Sequence, residues 1–334
     1  MRNSDNLFPD FVGNENALRQ LSVDIAAGRF PHALLLEGPS GCGKRTLAGM
    51  LAAAAVCADQ ERAPCGQCEH CRKAREGIHP DVEEITGDGG ERSFHIDRIR
   101  ELKEKAYILP NEARVRVLIL SSAHTMTPQA QNALLKILEE PPAHLVFILT
   151  CESRAQMLPT IRSRVRTVSL SGVEWEQAYP LLKKRLPDAD DEMLSRAFSI
   201  SGGVIGKVLS DMSDNTLQKV LEVTPRVAKA ITAGAEWELM AALAPLEKDK
   251  AAITGTLGAL QLIFRDAVTL HYGGQTTLSI APDIASDLSR SLSGKRLTAL
   301  LKETEGLRAD VSRNMNQTLL LTRMCARLRV ATER

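Results

Sequence analysis

The run Gly38-Pro39-Ser40-Gly41-Cys42-Gly43-Lys44 constrains the fold of this chain more than anything else in its 334 residues. Glycines at these spacings let the backbone turn its N–H groups inward, and a lysine at the end can reach the anion they cradle. A glycine-rich turn of no special purpose is the alternative, and the flanks decide between the two. Residues 32–37 form a short apolar, strand-like run and 46–55 a helical one, which is the strand, loop and helix order a phosphate cradle needs. Gly38, Gly41, Gly43 and Lys44 are therefore expected to line such a cradle. Two places in the frame then depart from what hydrolysis requires. Arg45 stands where a Ser or Thr hydroxyl would ligate magnesium, and Thr46 offers its hydroxyl one position late. The second apolar run, Val117-Leu118-Ile119-Leu120, ends in Ser121-Ser122, where an acidic pair would hold the metal and the attacking water. Losing the hydroxyl and both carboxylates predicts a loop that persists without catalysis. It leaves ATP/Mg2+ binding open.

Composition limits the alternatives. With 44% apolar and 25% charged residues the chain falls among ordinary globular proteins, long enough for two or three domains. A net charge of +1 supplies no whole-molecule field for nucleic acid, and 4% aromatics offer few stacking platforms for single strands. The N-terminus carries no apolar leader, and the longest apolar run, 47–58, is too short to cross a bilayer. A cytoplasmic protein with no membrane contact is expected. Seven cysteines in a reducing compartment point away from disulfides. Four of them, Cys57, Cys65, Cys68 and Cys71, are spaced C-x7-C-x2-C-x2-C, with Pro64 and Gly66 between. That pattern suits a closed four-thiolate Zn2+ knuckle of structural kind; an iron–sulfur cluster would want a fourth cysteine just downstream, where 72–75 has none. Cys42, Cys151 and Cys325 read as packing residues.

Strand-like and helical runs alternate through the first half, with strands at 32–37, 115–120 and 145–150 and helices from Lys44 and Pro128. This predicts an α/β domain built on a parallel sheet. From about Val173 the strand signals stop and amphipathic helices follow, over 174–185, 190–200, 206–212 and onward to the C-terminus. The divisions expected are an α/β domain over 1–170, a small helical domain over 171–213 and a larger all-α domain over 214–334. Arg162, Arg164 and Arg166 alternate along an apparently extended stretch that would turn all three to one side. Asn132 to Pro142 is an amphipathic helix stopped by a double proline, and Thr150 ends the third strand.

Taken together, the near-intact loop, the four-cysteine knuckle, Leu134-Leu135-Lys136-Ile137-Leu138-Glu139-Glu140-Pro141-Pro142 and Ser163-Arg164-Val165 resemble the AAA+ clamp-loader subunits of bacterial DNA polymerase III. The resemblance covers about the first 210 residues. Gly202-Gly203-Val204-Ile205-Gly206-Lys207 is similar to the family's lid signature with Lys207 for the usual arginine, and Arg313-Asn314-Met315-Asn316 is similar to the start of its collar helix. The resemblance implies an AAA+ P-loop domain, a helical lid and a C-terminal collar through which subunits oligomerise. Active members keep a Thr and an Asp-Glu pair where this chain has Arg45, Ser121 and Ser122, so it resembles the non-hydrolysing branch. The implied setting is a hetero-oligomeric ring within the DNA polymerase III holoenzyme. Its partners there would be gamma/tau and delta subunits, the beta sliding clamp and primed DNA. Arg164 is then the implied catalytic contribution, an arginine finger for a neighbour's ATP site. A self-sufficient ATPase using His124 or Glu139, and a zinc-knuckle nucleic-acid binder with a vestigial loop, are the rival readings.

Overall fold

A computed structural model gives the architecture and describes residues 6–86, 94, 96–213, 216–232, 236–312 and 317–332. The chain divides into two compact units, Met1–Gln177 and Ala178–Arg334. The finer boundary expected at 213/214 borders residues outside the described ones, as does the whole of Arg313 to Asn316. No helix among the described residues is long and apolar enough to cross a membrane.

The first unit is built on a parallel sheet of β1 (Ala33–Glu37), β2 (Val82–Ile85), β3 (Arg116–Leu120), β4 (Leu145–Cys151) and β5 (Arg166–Ser169), in the order β2-β3-β4-β1-β5. Strands β3 and β4 are buried along their whole lengths and β1 over all but its last residue, and parallel strands covered on both faces read as continuous apolar runs. Their alternate residues feed two cores. Leu34, Leu36, Val117, Ile119, Val146 and Ile148 face one side, with Leu18 and Leu21 of α1 (Glu15–Ala26) and Leu47 and Leu51 of α2 (Lys44–Val56). Leu35, Leu118, Leu120, Phe147 and Leu149 face the other. They meet Ile99 and Leu102 of a helix over Ile96–Ala106 and Leu134 and Ile137 of a helix over Pro128–Glu139. Each such side chain contributes roughly 1.5–3 kcal/mol by leaving water. Between α2 and β2 the chain forms α3 (Glu69–Glu76); the two helices just named are α4 and α5, and α6 (Pro159–Arg162) follows β4.

Helix α5 explains its own sequence. Thr127 caps it by accepting the Ala130 N–H at 3.2 Å, Pro128 occupies the first turn, and Pro141-Pro142 follow the end at Glu140. Ala130, Leu134, Ile137 and Leu138 make the buried stripe.

The arginine stretch differs from expectation. Pro159 starts a turn of helix in which Arg162 N–H donates to Leu158 and Ser163 N–H to Pro159, so Arg162 is helical, Arg164 lies in the turn and only Arg166 is in a strand. The three do not share a direction. Arg166 pairs with Asp24 of α1, and Arg164 pairs with Glu139. A proline-initiated turn, with φ preset for helix, overrides the alternation.

The second unit is all helical among the described residues. Its helices are α7 (Trp175–Arg185), which contains the division, α8 (Asp191–Ser201), α9 (Ile205–Ser213), α10 (Thr216–Ala230), α11 (Glu236–Leu243), α12 (Lys250–His271), α13 (Pro282–Ser291), α14 (Gly294–Ser312) and α15 (Gln317–Thr332). Helix α12 is the spine. Its Leu257, Leu260 and Phe264 share one core with Leu239, Leu297, Leu300, Leu307, Met324 and Leu328. A Cβ on Gly255 would come within 2.7 Å of Val220, so the glycine is what admits α10 so close. Asp266, fully buried on α12, accepts the N–H groups of Leu278 and Ser279 at 2.8 and 2.6 Å and pins the loop before α13.

A similar clamp fixes the edge of the sheet. Asp81, 1% exposed and just ahead of β2, accepts the N–H groups of Asn111 at 2.6 Å and of Glu112 and Ala113 at 2.8 Å each, with Arg116 at 3.7 Å. Burial pushes its carboxyl up, and the three N–H groups pull harder, leaving it below the usual carboxylate range. Asp81→Ala should cost about 3 kcal/mol by orphaning these donors and Arg116. Because the folded carboxyl is the more acidic, the wild-type advantage is complete above its ordinary pKa of about 3.9 and is lost as pH falls through the depressed value. Urea midpoints of both proteins at pH 7 and at progressively acid pH check this.

Candidate functional site

The phosphate loop lies at the C-terminal end of β1, where parallel sheets place ligands. Gly43 has φ 92 and ends the loop without a side-chain cap on the first turn of α2. Its missing Cβ matters too, since one would sit 2.9 Å from the Phe11 ring, and a Cβ on Gly38 would meet the Leu170 carbonyl at 2.5 Å. Lys44 folds back over the loop, its Nζ donating to the carbonyls of Gly38 at 2.6 Å and Pro39 at 2.8 Å. An arriving anion would compete with those carbonyls for the ammonium. Thr46 lines a groove of about 770 Å³ with Arg45, Met50, Phe8 and the knuckle residues Pro64 and Cys65.

The residues that departed from the hydrolytic pattern come together around one carboxylate that the sequence did not single out. Arg45 forks onto Glu84 of β2, Nε to Oε1 at 2.7 Å and Nη2 to Oε2 at 2.9 Å. Ser121, buried at the end of β3, donates its hydroxyl to the same Oε1. Ser122 turns into the left-handed region, φ 58, and donates its N–H to Thr150 Oγ1 at 2.9 Å. Arg45, Glu84 and Ser121 thus share one acid–base contact, with the guanidinium supplying positive charge on the helix turn where a hydroxyl would have invited a metal. Thr150 is occupied in holding the Ser121-Ser122 corner. Glu84 was missed because β2, Val-Glu-Glu-Ile, is an edge strand whose charged residues carry no strand signal.

Glu37, at the end of β1, accepts the Arg154 N–H at 2.8 Å and the Ser169 hydroxyl at 3.1 Å. His124, proposed as an alternative base, sits on a short turn over Ala123–Thr125, and Glu139 is paired with Arg164. The Arg164 guanidinium also donates to the Thr160 carbonyl at 2.9 Å and to Ser163 Oγ at 3.1 Å. In the second unit Lys207 lies on α9, where burial pushes its ammonium down from the ordinary value and Asp211 one turn on opposes the shift.

The four cysteines converge as their spacing predicts. All four sulfurs lie within 4.8 Å of one another, with Cys57–Cys68 at 3.9 Å and Cys65–Cys71 at 4.0 Å. A tetrahedron of thiolates around an ion at about 2.3 Å has edges of roughly 3.8 Å, so the set is already shaped for a four-coordinate metal. Cys57 follows α2 directly and Cys68 caps α3, its sulfur accepting the Cys71 N–H at 3.4 Å; Cys65 N–H points at Cys57 and Cys68 N–H at Cys65. The N–H groups of Gln67 and Cys68 hold the Cys65 thiol down at about 6, while burial pushes Cys57 and Cys71 up. A cation shared by all four would draw the two buried sulfurs into the thiolate form as well. Cys151 is buried at the end of β4, its thiol pushed up to about 12 by that burial, and Cys325 is buried in the helical core, both as packing residues.

Three kinds of relative accompany this geometry. Residues 13–174 match the family described as DNA polymerase III, delta subunit. The gamma/tau subunit of DNA polymerase III from Mycobacterium tuberculosis is 42% identical over 158 residues, 47% of this chain and 27% of that protein. The chain thus spans about a quarter of the length of that gamma/tau relative. The delta prime subunit from Escherichia coli is 29% identical over 326 residues, 96% of this chain and 94% of that one. Among solved structures, a gamma-subunit-related protein of Thermotoga maritima aligns over 94% of this chain at 20% identity and a TM-score of 0.42.

The contact at Glu84 predicts what restores a metal site. Arg45→Thr with Ser121→Asp removes the guanidinium and gives back a hydroxyl and a carboxylate, so magnesium should then strengthen nucleotide binding at least tenfold, with Arg45→Ala alone giving no such gain. Calorimetric titration of ATP with and without magnesium checks it; equal affinity in both conditions for the double variant would refute the assignment.

Proposed function

We propose that the chain, which is similar to clamp-loader subunits of DNA polymerase III, is the delta prime subunit, the stator that helps load the sliding clamp while hydrolysing no ATP itself. The observation that carries the reading is the Arg45–Glu84–Ser121 contact, which sets a guanidinium where a metal-ligating hydroxyl would stand and engages the Glu84 carboxylate with it. Alignment along nearly the whole of both chains with a delta prime subunit supports it, whereas the gamma/tau matches cover only part of longer proteins. In this reading 1–170 is the AAA+ domain, 171–213 forms the lid, and 214–334 is the collar that joins gamma/tau and delta subunits into a hetero-oligomer. The beta clamp and primed DNA are partners of the assembled complex, in the cytoplasm.

Arg164 is the residue through which the chain acts. It follows Ser163 in a turn at the surface of the sheet domain, and a guanidinium there is always charged and can fork onto two phosphate oxygens of a neighbour's nucleotide. Zinc on Cys57, Cys65, Cys68 and Cys71 supplies no chemistry. It would replace a hydrophobic core for a segment with little else to bury, since Ala63, Cys57 and Cys71 are the only fully buried members of that cluster among the described residues.

The isolated chain should show no ATP turnover above a no-enzyme control. A finger contributes about 10³-fold or more at the site it serves. Arg164→Ala should therefore silence one site and lower the DNA- and clamp-stimulated ATPase of a reconstituted loader by up to that site's share, or further if sites fire in sequence. Assembly, followed by gel filtration, should be unchanged. Normal turnover and clamp loading by this variant would show Arg164 to be a surface charge.

Elemental analysis should find one zinc per chain in protein prepared without chelator. Cys68→Ser should lose the metal and loosen 57–71, seen as local amide exchange, while the sheet keeps its protection; zinc-free wild type with full protection of the knuckle would refute it.

A further inference from the structure

The guanidinium of Arg164 is already spoken for. Its Nη2 lies 2.5 Å from Glu139 Oε1, and its Nη1 donates to the Thr160 carbonyl and to Ser163 Oγ, so three acceptors of its own chain hold it down. Glu139 is an odd residue for its position. It ends α5, where the carbonyl end of the helix dipole repels a carboxylate, and Glu140 adds a second one. Neither charge helps the helix; Glu139 closes on the arginine instead.

Resting on the finger reading above, we propose that Glu139 is a positioning residue, a latch that keeps Arg164 folded onto its own subunit until the terminal phosphate of a neighbour's nucleotide draws it away. The chemistry makes the exchange selective. A guanidinium forks equally well onto a carboxylate or a phosphate, but the terminal phosphate of ATP offers more charge and more oxygens than one carboxylate. An empty or spent site offers less and leaves the arginine on Glu139. The pair is also weak enough to open. Its side chains are 33% and 44% exposed, which puts the contact in the range of solvent-screened ion pairs, a few-fold bias in population rather than a lock. His32, Leu138, Glu139, Ser163 and Arg164 border an open groove, so the guanidinium can leave without moving backbone.

Two measurements test the latch. In the isolated chain, phenylglyoxal labelling of Arg164, followed by peptide mass spectrometry, should quicken about two- to fivefold in Glu139→Gln and stay at the wild-type rate in Glu140→Gln. In the reconstituted loader, Glu139→Gln should lower the ATP concentration for half-maximal turnover by a similar factor and leave the maximal rate unchanged. A residue that only supported the fold would lower the maximal rate instead, and that result overturns the proposal. Unchanged labelling and unchanged half-saturation, in a loader that Arg164→Ala still cripples, overturns the latch alone. Arg164→Ala with full turnover removes the finger reading and the latch with it.

Discussion

One carboxylate organises the surroundings of the phosphate loop. Glu84 stands on the edge strand of the sheet and receives Arg45 from the first turn of α2 and Ser121 from the end of β3. As a contribution to stability the pair is minor, because Arg45 is 67% exposed and such contacts seldom exceed about 1 kcal/mol. Its importance lies in what it excludes. A positive side chain held on the helix turn beside Lys44 raises the cost of bringing a divalent cation there, and the carboxylate that might have served the cation is committed to the arginine. The fold beneath is untouched, since the central strands bury their side chains in two cores that do not involve these residues.

How much of this was legible depended on whether the sequence signal came from burial on two faces or on one. The three central strands are continuous apolar runs, and 32–37, 115–120 and 145–150 fall within a residue or two of β1, β3 and β4. The edge strands left no such trace. β2 is half charged, and β5, Arg-Thr-Val-Ser, has one buried residue in four, so neither stood out from loop. The helices from Lys44 and Pro128 and those beginning at 175, 191 and 205 were legible from periodicity and caps. The site divides in the same way. Cys57, Cys65, Cys68 and Cys71 could be read because metal ligation needs few residue types at fixed spacings; Glu84 and the pairing of Glu139 with Arg164 could not, because a Glu on a half-exposed face looks the same whether or not an arginine folds onto it. The three arginines after Leu158 misled for a local reason: alternation along the chain means a shared face only if the backbone is extended, and Pro159 makes it helical.

Helix α2 ties the two halves of the site together. Its N-terminus closes the phosphate loop at Gly43 and its C-terminus runs straight into Cys57, so a single buried, alanine-rich helix carries the cradle at one end and the cysteine cluster at the other. Eight of its residues are buried, and Ala52, Ala53, Ala54 and Ala55 let neighbouring elements approach closely. The knuckle is thereby referenced to the sheet through one rigid element.

The Glu84 contact also bears on history. Going back to a metal-dependent site by single steps means passing through worse ones: losing Arg45 alone leaves Glu84 without its counter-charge, and gaining an aspartate at 121 alone sets two carboxylates against each other across the space of a hydrogen bond. Each intermediate has surrendered the old arrangement without acquiring the new one. If the chain is the non-hydrolysing subunit proposed above, the contact would behave as a ratchet: neither step alone would restore a metal site, and the rest of the loop would be released from whatever catalysis demands of it.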